Sequence, residues 1–156
     1  MREIEQAHFL FVGQGDEVEL VKSTIENNKL NNVTLLPSVS QQRYKEILVQ
    51  VDDGLFSLSR NHKAHNFPGK LLGYMVQSLP ILGSVNEGND LIDIFREADA
   101  GLIFVNGEDD YLLEGAKQLV FNEIQRKELG SRANKLLISK FSVESAASII
   151  LAHLRN

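Results

Sequence analysis

The chain has 156 residues, 43% of them hydrophobic and 24% charged, with a formal net charge of −5. That is enough apolar side chain for the core of one domain, and the acidic balance excludes a nucleic-acid binder working by bulk electrostatics. The absence of cysteine excludes a disulfide framework and a thiolate metal site, and is compatible with a reducing cytoplasm.

The first residues, MREIEQAHFLFVG, lack a basic region followed by a long apolar core, so they do not read as a secretion signal. HFLFVG (8–13) is a short apolar run of β-formers ending on glycine and predicts a strand. Residues 16–28 carry Val18, Val21 and Ile25 at helical spacing, with acids in the first turn. VTLLP (33–37) reads as strand, and Ser40 can cap a helix running to about Val51, with Tyr44, Ile47, Leu48 and Val51 on one face. GLFSLS (54–59) is a strand, 67–77 a helix, PILGS (80–84) a strand, 89–97 a helix and GLIFV (101–105) the last strand. Helices then follow over 108–121, 123–139 and 142–155. Five short apolar strands separated by helices predict a doubly wound (Rossmann-like) α/β domain, its parallel sheet covered on both faces and its C-terminus helical. Such sheets bind ligands at the carboxyl ends of their strands, near helix N-termini. No apolar run approaches the roughly 18 residues that suggest a membrane span.

Two stretches can carry chemistry. VGQGDE (12–17) has a Gly-x-Gly after the first strand, but Val18 stands where a dinucleotide fingerprint has its third glycine, and Asp16 and Glu17 put negative charge where a pyrophosphate would sit. Gly13 and Gly15 therefore form either a tight turn with Asp16 as helix cap or a loop that lines a phosphate or sugar.

The second stretch is more informative. Residues 54–86 contain no Asp or Glu, although the chain has 21, and the same segment holds Arg60, His62, Lys63, His65 and Lys70. A helix N-terminus already carries partial positive charge and unpaired N–H groups. The helix after Phe67 offsets that charge with no acid; it begins with Pro68, Gly69 and Lys70. Proline suits a first turn because it has no N–H to satisfy, and glycine lets a ligand approach the backbone. Stacking a cation on a positive helix end costs roughly 0.3–1 kcal/mol unless an anion resides there. The pattern predicts an anion site, most simply for phosphate; the alternative is a solvated basic loop whose lysine turns away. Two histidines alone, His62 and His65, do not make a metal site.

FPGKLLGYMVQSLPILGSVNEG (67–88) resembles the nucleotide-sugar-binding half of retaining GT-B glycosyltransferases, the family 4-like group that includes glycogen-synthase-like and lipopolysaccharide enzymes. Phe67-Pro68, Leu71-Leu72, Tyr74-Met75, Leu79-Pro80-Ile81 and Gly83-Ser84 follow the group's pattern, most closely that of a subgroup building bacterial surface polysaccharides. FLFVGQGDE (9–17), residues 31–59 and FSVESAASIIL (141–151) resemble the flanking segments, so the likeness covers nearly the whole chain.

The resemblance implies a donor-binding domain, 1–156, for a nucleotide-diphospho-sugar, UDP-linked, with no cofactor and no metal. Gly69, Lys70 and Leu71 would hold the diphosphate, with Arg60, Gly13 and Gly15 nearby. Pro37, Ser38 and Val39 would meet the base, and His65, Asn66 and Phe67 the sugar, with His65 as the candidate catalytic group. The family's paired glutamates fall on His65 and Gly73 in this register, so both are absent, and Gly73 lies where the ribose hydroxyls would be held. In the family an acceptor-binding half and a further strand–helix unit with a basic pair precede the first strand seen here. The resemblance therefore implies part of a longer cytoplasmic enzyme, its parent peripheral at the inner membrane face. That enzyme would take a glycan or lipid-linked acceptor through the other half, and would bind no nucleic acid. By itself the chain is expected to transfer no sugar. It is expected to pair the strands of 8–13 and 54–59 directly, or to associate with a second copy. A non-catalytic nucleotide-binding or assembly module of the same fold is the alternative. A flavodoxin-like regulatory domain fits less well, because Asp52 and Asp53 precede their strand rather than follow it.

Overall fold

The computed structural model describes residues 3–61 and 67–154. Five strands form in the expected order: β1 (Phe9–Val12), β2 (Val33–Leu36), β3 (Gly54–Ser57), β4 (Ile81–Val85) and β5 (Gly101–Val105). All described pairings are parallel. Helices α1 (Val18–Asn27), α2 (Gln41–Leu48), α3 (Gly69–Val76), α4 (Leu91–Ala98), α5 (Asp109–Phe121), α6 (Glu123–Leu136) and α7 (Val143–Leu154) alternate with them and complete the C-terminus. The chain is of the α/β class that the alternating periodicity predicts. It divides into two compact units, 1–47 and 48–156.

In the first unit β1 pairs with β2, Phe9 opposite Val33 and Val12 opposite Leu36. Asn32 fixes the entry to this ladder: its Nδ2 donates to the carbonyls of Ile4 and Ala7, each at 3.0 Å. Helix α1 begins two residues later than the acids suggest, with Glu17 at the N-cap and no side-chain cap bond, so Asp16 does not cap it. Ser40 does cap α2: its Oγ accepts from the Arg43 amide at 3.2 Å. That helix ends at Leu48 rather than Val51.

In the second unit the sheet order is β3-β4-β5. The described strands hydrogen-bond as a two-stranded sheet in the first unit and this three-stranded sheet in the second. The central strand β4 is buried at every position, which its unbroken apolar character requires. Its side chains alternate between faces. Ile81 and Val85 join Leu71 and Met75 of α3, Leu91 and Phe95 of α4, and Ala133 and Leu136 of α6 in the main core. Leu82 faces the other way, packing with Leu119 of α5 and Leu129 of α6. Gly83 is obligatory between them, because a Cβ there would lie 2.2 Å from the ring of Phe56.

Three helices end alike, on a non-glycine residue in the left-handed region: Lys29 (φ 51°), Ser78 (φ 54°) and Asp99 (φ 46°). In each, the following amide reaches back to close a Schellman turn, as Leu79 N–H does to Tyr74 O at 3.0 Å. These turns aim the chain straight into β2, β4 and β5. A π-helical turn, Leu137–Phe141, links α6 to α7, whose start Ser142 caps through the Ser145 amide at 3.0 Å.

Candidate functional site

Helix α3 starts at Gly69, one residue after an N-cap at Pro68 whose backbone is extended (φ −63°, ψ 124°). The proline thus stands just outside the helix rather than in its first turn. It has no side-chain acceptor, and the first turn contains no acid. Its carbonyl accepts the Leu71 amide at 2.9 Å. Of the three residues the sequence assigns to a diphosphate, Leu71 is therefore already engaged, and its side chain is fully buried. The amides of Gly69 and Lys70 have no acceptor within the helix. Gly69 is open: nothing lies within 4 Å of where a Cβ would be. Lys70 is exposed as a residue, yet partial burial of its ammonium lowers its pKa below the ordinary lysine range. The side chain is flexible and on an open surface, where water readily rehydrates the ammonium.

Phe67, expected at the sugar, instead directs its ring into the protein. It lies 4.5 Å from the ring of Phe141 and 6.5 Å from that of Phe95. The ring anchors the residue before Pro68 and so fixes where α3 begins. Gly73 lies one turn into α3 and is half-buried. His65 and Asn66, with His62 and Lys63, lie outside the described residues.

The carboxyl ends of β3, β4 and β5 are tied together by side chains. Val85 of β4 pairs with Val105 of β5, so Asn86 and Asn106 emerge side by side. Asn106 Nδ2 donates to Asn86 Oδ1 at 2.8 Å and to the Leu58 carbonyl at 2.9 Å. Asn86 Nδ2 donates to the Ser59 carbonyl at 3.2 Å. Both acceptor carbonyls belong to the loop leaving β3, which next presents Arg60. The Arg60 guanidinium lies along the turn at Gly107 (φ 102°): a Cβ at that glycine would stand 3.3 Å from Nη2 and 3.9 Å from Cζ. Beneath the loop, the hydroxyls of Ser57 and Ser84 meet at 3.0 Å. Asn86, Asn106 and Gly107 are not among the residues the sequence singles out.

The remaining candidates belong to the first unit. Gly13 follows β1, and its amide donates to Leu36 O at 3.1 Å; Gly15 has φ 156° and open space around it. Pro37 and Ser38 are exposed and Val39 half-buried at the carboxyl end of β2, accessible to a ligand. A cavity of about 480 Å³ opens at the opposite, amino end of β1 and β2, beside His8, Lys29 and Asn32. Parallel sheets bind ligands at their carboxyl ends, so it is not the site. Among the described residues no group of three or more His, Asp or Glu could hold a metal ion, and no helix is long and apolar enough to cross a membrane.

Comparisons with known proteins bear on the family and the fold. Residues 1–136 match the family described as glycosyl transferases group 1. No curated protein matches the sequence. Among solved structures, TarM is similar with a TM-score of 0.76 at 19% identity, over 97% of this chain and 29% of that one. A Staphylococcus aureus TarM variant in complex with fondaparinux, α-GlcNAc-glycerol and UDP gives 0.75 at 19% identity, over 93% of this chain and 28% of that one. WaaG, a glycosyltransferase of lipopolysaccharide biosynthesis, gives 0.66 at 17% identity, over 92% and 38%. The chain thus spans between 28% and 38% of the length of these structures. With most of its length matched by the family and its fold shared with these GT-B enzymes, the chain belongs to the group 1 glycosyltransferases.

Proposed function

We propose that this chain is the donor-binding domain of a retaining glycosyltransferase acting in bacterial polysaccharide or lipopolysaccharide synthesis, and that it holds a UDP-linked sugar through its diphosphate. The observation that carries this reading is the start of α3: an open Gly69, an exposed Lys70, no acid in the first turn and no side-chain cap. Free amides and a cation converge where a departing diphosphate gathers charge, and electrostatic stabilisation of that charge is the main catalytic service such a domain supplies. Lys70 is a point charge suited to phosphate. Arg60, held at the neighbouring loop, adds a second cation. The nucleobase is assigned to Pro37–Val39, the sugar to the segment before Phe67, and no metal to the reaction. The complex of the similar TarM variant with UDP supports the choice of nucleotide. The acceptor, a glycan or a lipid-linked sugar, is assigned to a second half of the enzyme, and the site of action to the cytoplasm.

The absence of both family glutamates, at His65 and Gly73, favours one other reading: a nucleotide-binding module of the same fold that performs no transfer. A thermal-shift series with UDP, UDP-sugars, GDP and ADP tests binding. A ligand at a hundred times its Kd adds about 2.7 kcal/mol of stability. UDP compounds should raise the Tm of the chain; no shift with any nucleotide would overturn both readings.

A further inference from the structure

We propose that Asn106 and Gly107 are positioning residues that place the Arg60 guanidinium at the carboxyl edge of the sheet, against the diphosphate of the donor. The inference rests on the donor-binding reading for its ligand, but not for its geometry. Arg60 follows a four-residue strand, β3, and lies on an exposed loop that would otherwise be free to move. Two contacts oppose that freedom. Asn106 spends both hydrogens of its amide, one on the Leu58 carbonyl and one on Asn86 Oδ1, and Asn86 in turn holds the Ser59 carbonyl. The loop backbone is thereby tied to β4 and β5 within two residues of Arg60. The guanidinium itself rests along Gly107, whose positive φ suits glycine and whose missing Cβ leaves room for Nη2. One short turn after β5 thus fixes both the backbone that bears Arg60 and the surface its side chain lies on. A cation held in place loses less freedom on meeting an anion than one that must first be ordered.

Two readouts test this on the intact chain. In NMR, the Arg60 Nε–Hε group should show a rigid heteronuclear NOE, which falls in Asn106→Ala and in Gly107→Ala while the backbone amides of β4 and β5 keep theirs. By calorimetry, Asn106→Ala should weaken UDP about fivefold in the native background and less than about twofold on top of Arg60→Ala, since residues acting through one another are not additive. Gly107→Ala removes no atom of the Asn106 side chain and serves if Asn106→Ala folds poorly. An Arg60 side chain equally ordered in both variants would overturn the proposal, as would equal losses of UDP affinity with and without Arg60. If no variant binds UDP, wild type included, the donor-binding reading fails, and the positioning proposal is decided by the NOE alone.

Discussion

The ring of Phe67 stands 4.5 Å from that of Phe141, at an interplanar angle of 42°. This contact joins the residue before the α3 cap to the last residue of the π-helical turn. The C-terminal helices therefore help to hold the start of α3 in place. Phe141→Ala should destabilise the chain by roughly 2–3 kcal/mol, less than the full penalty for a completely buried ring. Urea unfolding should show a lower midpoint at an unchanged slope.

The turn after α3 makes a second demand. A Cβ at Gly130 of α6 would fall 1.8 Å from the Ser78 carbonyl oxygen, an atom of a rigid Schellman turn. Gly130→Ala should cost about 3 kcal/mol or more, because α6 must move bodily away. Ser78→Gly should do the reverse and gain roughly 0.5–1 kcal/mol by removing the left-handed strain at φ 54°. Calorimetric melting of the two variants checks both signs.

Much of this architecture is legible in the sequence, and its gaps have physical causes. The five strands are readable because each is an apolar run bounded by turn residues, and β5 falls on the predicted residues 101–105. Ser40 and Ser142 act as caps, as hydroxyls before helical periodicity suggest. The helix ends before β2, β4 and β5 are harder to read, since Lys29, Ser78 and Asp99 occupy left-handed positions that usually announce themselves as glycine. The uncapped, acid-free start of α3 is visible as an acid-free segment. The clamp of Asn86 and Asn106 is not, because only the pairing of Val85 with Val105 brings the two asparagines together. The core role of Phe67 is hidden too: its partners Phe95 and Phe141 lie far along the chain.

Asp53 provides a pH test of stability. Its Oδ1 is buried without a hydrogen bond among the described residues, and burial pushes its pKa up from 3.8 to about 6, with Arg126 opposing and Asp52 adding to the rise. A carboxyl whose pKa is raised by folding keeps its proton more tightly in the native state. Between pH 4 and 6 the native chain therefore binds more protons than the unfolded one, and stability falls as pH rises through that window. The loss is at most about 3 kcal/mol. Asp53→Asn should remove this slope and be the more stable protein at pH 7; a pH series of urea midpoints reads both.

Gly73 offers no side chain to the ribose. UDP and 2′-deoxy-UDP should bind within about threefold of each other. A tenfold preference for the ribonucleotide, about 1.4 kcal/mol, would mean that another residue reads the 2′-hydroxyl.

The central claim is that α3 begins as it does in order to receive a diphosphate. Isothermal titration of UDP into wild type and Lys70→Ala tests it most directly. Loss of one charge-assisted contact should weaken UDP by about 1–3 kcal/mol without lowering the Tm of the free chain. Equal UDP affinity in the two proteins would contradict the account.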